Sequence, residues 1–117
     1  MVTDFIPRDQ QLEAIVSGTF MTLLSQYLSD PSLVDIRKYI SVTKVELQKY
    51  IETKPFIASE ILNRAKYNPL THDRFCLEQR GEEYFLYWLD HGQKRFGEKF
   101  PALVDALVAY LYKEHGL

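Results

Sequence analysis

Groups able to do acid-base, nucleophilic or metal chemistry are few and scattered in this chain. His91 and His115 have no second ligand at i, i+4 spacing, the four-residue step from His72 to Cys76 falls where no helix is expected, and Cys76 is the only cysteine. Neither a zinc site nor an intrachain disulfide follows from that pattern. His72 and Asp73 stand close enough before Cys76 to suggest a base and a nucleophile. Alternation along 74–78, however, puts Cys76 on the face opposite Phe75 and Leu77, and a lone cysteine usually packs as a small apolar group. Glu82 and Glu83 are adjacent and would diverge on a helix. The five glycines, at 18, 81, 92, 97 and 116, stand singly, so no loop cradles a phosphate. The expectation is a protein that is not an enzyme and holds no metal or cofactor.

Recognition is the chemistry that remains, and residues 43–67 carry it. Thr43 and Glu46 have capping-box spacing, so a helix should start there, with Leu47, Tyr50 and Ile51 on one side. Pro55 cannot continue that helix but suits the first turn of another. Ile57, Ala58, Ile61, Leu62 and Ala65 then form an apolar stripe, leaving Ser59, Glu60, Asn63, Arg64 and Lys66 for the opposite side. Asn, Arg and Lys can meet base edges or phosphates in a major groove. Ser59, Asn63, Arg64 and Lys66 are therefore the expected readers of double-stranded DNA, with Lys44, Lys49, Lys54 and Arg74 on its phosphates. Charge distribution is compatible with this: residues 37–80 carry nine Lys and Arg against five Asp and Glu, a local +4 in a chain of net charge -2.

These side chains need a scaffold, and the sequence reads as a mainly α one. An arm over 1–8 leads to a long helix over 8–28, with Gly18 its weak point. Asp30 and Pro31 open a short helix reaching Ile40. After the helix pair, Asn68 and Pro69 turn the chain into a minimal two-stranded wing at about 70–78, with Thr71, His72, Asp73 and Arg74 at its tip. Gly81 then opens a helix through Leu89, which Gly92 closes. A last helix, over 101–114, carries Leu103, Leu107 and Leu111 in a stripe with Tyr110 beside it, the expected interface of a homodimer. The fold expected is thus five or six helices around a helix-turn-helix, in one domain over 1–117. Its core spans 9–92, and 93–117 serves dimerisation. The longest apolar run, 84–89, is too short to cross a bilayer, and the acidic start of the chain does not resemble a signal peptide. No membrane partner and a cytoplasmic location are expected.

The stretch RFCLEQRGEEYFLYWL, over 74–89, reads as a short strand, a glycine and an aromatic-rich helix. With the helix pair before it, it resembles a winged helix-turn-helix domain over about 43–89. Gln48 and Glu52 depart from that pattern, which tends to Ala and Gly at those places. The resemblance implies a small, dimeric DNA-binding regulator whose affinity falls steeply with salt. The alternative is a helical protein-interaction module without nucleic acid, binding a protein partner through Tyr84, Tyr87, Trp88, Tyr110 and Tyr112.

Overall fold

The structure, a computed structural model, describes residues 6–68 and 73–117. Residues 1–5 of the expected arm, and 70–72 of the expected wing with Thr71 and His72 of its tip, lie outside the described residues. The apolar period over 8–28 does not give one helix. Helix α1 (Arg8–Ser17) ends at Gly18, whose φ is 71°. There the N-H groups of Gly18 and Thr19 return to the carbonyls of Ile15 and Ala14, closing the helix through a left-handed residue. Helix α2 (Phe20–Leu24) restarts one residue further on. The short helix expected up to Ile40 is instead two single 3-10 turns, Pro31–Leu33 and Ile36–Lys38. Asp35 accepts from the N-H of Arg37 at 3.1 Å, a local bond that competes with helix propagation.

Helix α3 (Lys44–Thr53) starts with the capping box read from the sequence. The N-H of Glu46 reaches Thr43 Oγ1 at 3.2 Å, and the N-H of Thr43 reaches Glu46 Oε1 at 3.2 Å. Lys54 alone separates it from α4 (Pro55–Ala65), in which Pro55 takes the first position. Ile57, Ile61 and Ala65 bury the inner stripe of α4, and Leu47 and Ile51 do the same for α3.

Beyond α4 the mainly α expectation is overturned. Residues 74–100 form a three-stranded antiparallel meander, β1 (Arg74–Arg80), β2 (Glu83–Asp90) and β3 (Gln93–Phe100), in the order β1-β2-β3. The segment expected as a helix over 81–89 is the central strand. Strand β3 falls inside the segment assigned to dimerisation, and the sheet makes the fold mixed α and β. The reason lies in YFLYWL. Tyr, Phe and Trp suit a pleated surface, and a strand covered on both faces is apolar almost throughout, so its period of two is hidden. Two-residue loops bound the strand: Arg80 pairs with Glu83 across Gly81-Glu82, and Asp90 with Gln93 across His91-Gly92. Gly81 has a φ of 63°, while His91 and Gly92 are both positive at 50° and 84°. These are the II′ and I′ geometries whose twist matches that of the strands.

Helix α5 (Leu103–Glu114) packs across one face of the sheet and against α3 and α4. Leu107 and Leu111 are 0% exposed and Tyr110 is 1% exposed, while Leu103 is half-buried against the same core. The stripe expected to meet a second copy is thus covered by its own chain, because the sheet supplies the apolar partner that a helical reading lacked. The core joins Ile15, Phe20, Leu47, Ile61, Leu77 and Leu86 to α5. Buried Gln11 ties the segment before α1 to the loop before α3. Its amide donates to Ile6 O at 2.8 Å and Ser41 Oγ at 3.0 Å and accepts from the N-H of Ser41 at 2.8 Å. Among the described residues no helix is long and apolar enough to cross a membrane.

Candidate interaction surface

The eight residues expected to contact DNA separate into two groups. Ser59 and Asn63 are exposed on α4, Lys66 is exposed just past its end, and Lys49 is exposed on α3. Lys44 lies over the ring of Tyr112 at 5.0 Å, and Lys54 lies over that of Tyr50 at 4.3 Å. Arg64 and Arg74 turn inward. The Arg64 guanidinium takes Glu114 with two N-H groups, at 2.9 and 3.1 Å, and gives a third to the carbonyl of Val16 at 2.8 Å. Arg74 donates to the carbonyl of Arg64 and, at 3.1 Å, to the hydroxyl of Tyr110, which donates to Glu114 at 2.8 Å. Four elements, α1, α4, β1 and α5, meet in this clasp. Burial and the bond to Glu114 push the Tyr110 phenol up to about 12. The groove beside the clasp, about 490 Å³, is lined by Phe75, Trp88 and Lys113 together with these bonded groups.

Among the described residues, His91, His115 and Cys76 do not converge on a reaction centre. His115 is buried, with Nδ1 2.7 Å from the carbonyl of Leu111 and its ring edge-on to Phe20. Burial raises the Cys76 thiol above its ordinary value. It sits against the buried hydroxyl of Tyr87, which has no other hydrogen-bond partner among the described residues. Asp73, Asp90 and His91 bring ligand atoms within 4.8 Å of one another. These groups lock the β2-β3 turn: Asp73 accepts from the N-H of His91 at 3.3 Å, and Asp90 takes the His91 ring and Arg95, each at 2.7 Å.

Sequence reasoning missed the other face of the sheet. Register places Leu77 and Leu86 toward α5, so that Glu78 and Arg80 of β1, Phe85 and Tyr87 of β2, and Lys94, Phe96 and Lys99 of β3 share the opposite face. Leu62 and Tyr67, at and just past the end of α4, border it beside Glu78 and Tyr87, so that Cys76, Tyr87 and Leu89 are each at most 1% exposed there, while the β3 side lies open. Its aromatic and cationic side chains alternate in contact. Arg80 lies 5.4 Å from the ring of Phe85 and 4.9 Å from that of Phe96. Phe96 is edge-on to Phe85 at 6.0 Å and tilted against Tyr87 at 5.2 Å. Lys94 lies 5.4 Å from the Tyr87 ring and 5.5 Å from that of Tyr67, which follows α4. Phe96 and Tyr67 are each 46% exposed, which for such large rings leaves a broad apolar area open. Glu78 bridges Arg80 and Lys94, each at 2.8 Å, and Glu83 holds Lys99 at 3.2 Å. The Lys94 ammonium, then Arg80, hold the Glu78 carboxyl below its ordinary value. One sequence signal was available: after the turn residues His91-Gly92, Lys94 and Phe96 alternate with Gln93 and Arg95 until Gly97 interrupts.

The aromatic residues expected at a helical interface are placed otherwise. Tyr87 and Tyr110 are each 1% exposed, and Tyr84, Trp88 and Tyr112 are half-buried. No protein-family model matches the chain, and no curated protein or solved structure is significantly similar to it.

Proposed function

We propose that this domain is a protein-interaction module whose partner docks on the open face of the sheet, around Tyr67, Phe85 and Phe96. The observation that carries this reading is that the exposed rings of Phe96 and Tyr67 and the half-buried ring of Phe85 are interleaved with Arg80 and Lys94 around the buried Tyr87. Large rings with a cation beside them supply the anchoring area and polar rim that partner surfaces favour. Arg80, Lys94 and Lys99 share the two carboxylates of Glu78 and Glu83, so this face keeps one surplus positive charge, little for the many phosphates of a duplex. A photocrosslinking residue placed at position 96, in cells of the native host, should give discrete protein adducts. Position 59, on the far side of α4, should not, and Tyr67→Ala should abolish the adducts from 96. No adduct from 96, combined with retardation of duplex DNA that depends on Lys66, would overturn the reading.

A second reading keeps the DNA-binding regulator of winged-helix type. Its support is that Ser59 and Asn63 are exposed on one side of α4 with Lys66 exposed just past its end, and that Lys66 has no ion pair among the described residues. Glu60 shares that side, and Arg64 is withdrawn from it. A duplex bound there should dissociate steeply as salt rises.

A further inference from the structure

Strand β3 stands at the margin of the sheet. It is bonded to β2 on one side, and no described strand lies on the other. Seven of its eight residues are exposed. The opposite margin, β1, is packed by α4 as well as α5, whereas α5 is the main helix against β3. An eight-residue strand in this position leaves a row of backbone N-H and C=O groups without a ladder partner, and an extended chain lying about 4.8 Å away would satisfy them.

Side chains decide which chain could do so. Lys94, Arg95 and Lys99 face Glu98, so the strand carries +2. Cations on an edge strand are a known defence against pairing with further copies, because two such strands would oppose like charges. The same charges favour an acidic strand. The internal ion pairs to Asp90, Glu78 and Glu83 are partly exposed, and pairs of that kind contribute little, so their cations can be shared. Phe96 projects beside the edge as an anchor, 46% exposed, and Gly97 marks the register shift that bends the strand next to it. We infer that the partner of this module binds by adding an extended acidic segment to the free edge of β3. This rests on the protein-interaction reading and specifies its mode: main-chain bonds give the affinity, and Lys94, Arg95 and Lys99 give the charge preference.

Three capped octapeptides serve as probes: one alternating glutamate and valine, its lysine-valine counterpart, and the glutamate peptide N-methylated at alternate residues. Binding is read by amide shifts and amide hydrogen exchange of the full chain. Saturating acidic peptide should slow exchange of those β3 amides that point away from β2, by about tenfold or more. The lysine and N-methylated peptides should leave them unchanged, and Arg95→Gln with Lys99→Gln should weaken the acidic peptide. If that variant does not fold, the charge-swapped peptides alone decide. Shifts confined to Tyr67, Phe85 and Phe96 without edge protection would overturn the edge proposal while leaving the docking face in place. No response to the acidic peptide, or protection that grows with protein concentration in its absence, would also overturn it. The docking-face reading stands or falls separately, on the adducts from position 96.

Discussion

Arg64 and Lys66 are two residues apart in the sequence and belong to different physical categories. The Arg64 side chain is 29% exposed and that of its partner Glu114 is 24% exposed, and removing the guanidinium would leave a carboxylate and the Val16 carbonyl short of donors. Losing a partly buried charged bond of this kind costs about 1–3 kcal/mol. Lys66 is exposed and makes no ion pair among the described residues, so its truncation should stay within about 0.5 kcal/mol. Urea denaturation of Arg64→Ala and Lys66→Ala should show a clear drop in midpoint for the first, at unchanged slope, and almost none for the second. Equal losses would mean that the clasp is not what holds α4 to α1 and α5. A sequence shows only that both residues lie on the polar side of a helix. It does not show that Glu114, fifty positions away, closes over one of them.

Gly18 raises the same issue for elements. Its positive φ ends α1, and a Cβ built there would lie 3.3 Å from Cζ and Nε of Arg64, so the break in the helix is also where the clasp passes. Gly18→Ala combines the left-handed penalty with crowding of the guanidinium, less the entropy lost from the unfolded chain, for a net cost of about 1–2 kcal/mol. That corresponds to a fall in Tm of about 4–8 °C. In an Arg64→Ala background only the backbone part should remain, so the two substitutions should cost less together than the sum of their separate effects. Strict additivity in thermal melts would refute the contact. Elements were legible wherever a local interaction sets them: the capping box of α3, Pro55 opening α4, and the stripe of α5. The sheet was not, because β2 is held by β1 and β3 rather than by its own periodicity, and its apolar run suits a buried helix equally well. The candidate surface followed the sheet out of view. Tyr67, Phe85 and Phe96 become neighbours only once three strands are in register.

At the scale of the whole molecule, ion pairs within the chain offset only part of the local +4 of residues 37–80. Among the described residues seven Lys and Arg are held by carboxylates, and of these Arg37, Arg64 and Arg80 belong to that segment. That arrangement fixes how stability varies with pH. Arg8 holds the Glu46 carboxyl below its ordinary 4.5, Lys94 and Arg80 do the same for Glu78, and Arg95 and His91 hold Asp90 below 3.8. For each of these the unfolded chain binds the proton more readily. Their contribution is therefore intact above about pH 5 and is lost as pH falls through the lowered folded values. His91 works the other way. The bond to Asp90, followed by the nearby Asp73, raises its pKa above 6.5, so its contribution is complete below that value and fades as pH rises through the raised one. Stability should be greatest between about pH 5 and 6.5, with a steep acid limb and a shallow alkaline one, since His91 is exposed. An NMR titration should find His91 titrating above 6.5 in the parent. Asp90→Asn should bring it part of the way back, the remainder being held by Asp73, and should flatten the alkaline limb of the urea midpoint. A His91 that titrates at its ordinary value in both proteins would mean that the β2-β3 turn is not locked by these charges, and the alkaline decline would then need another source.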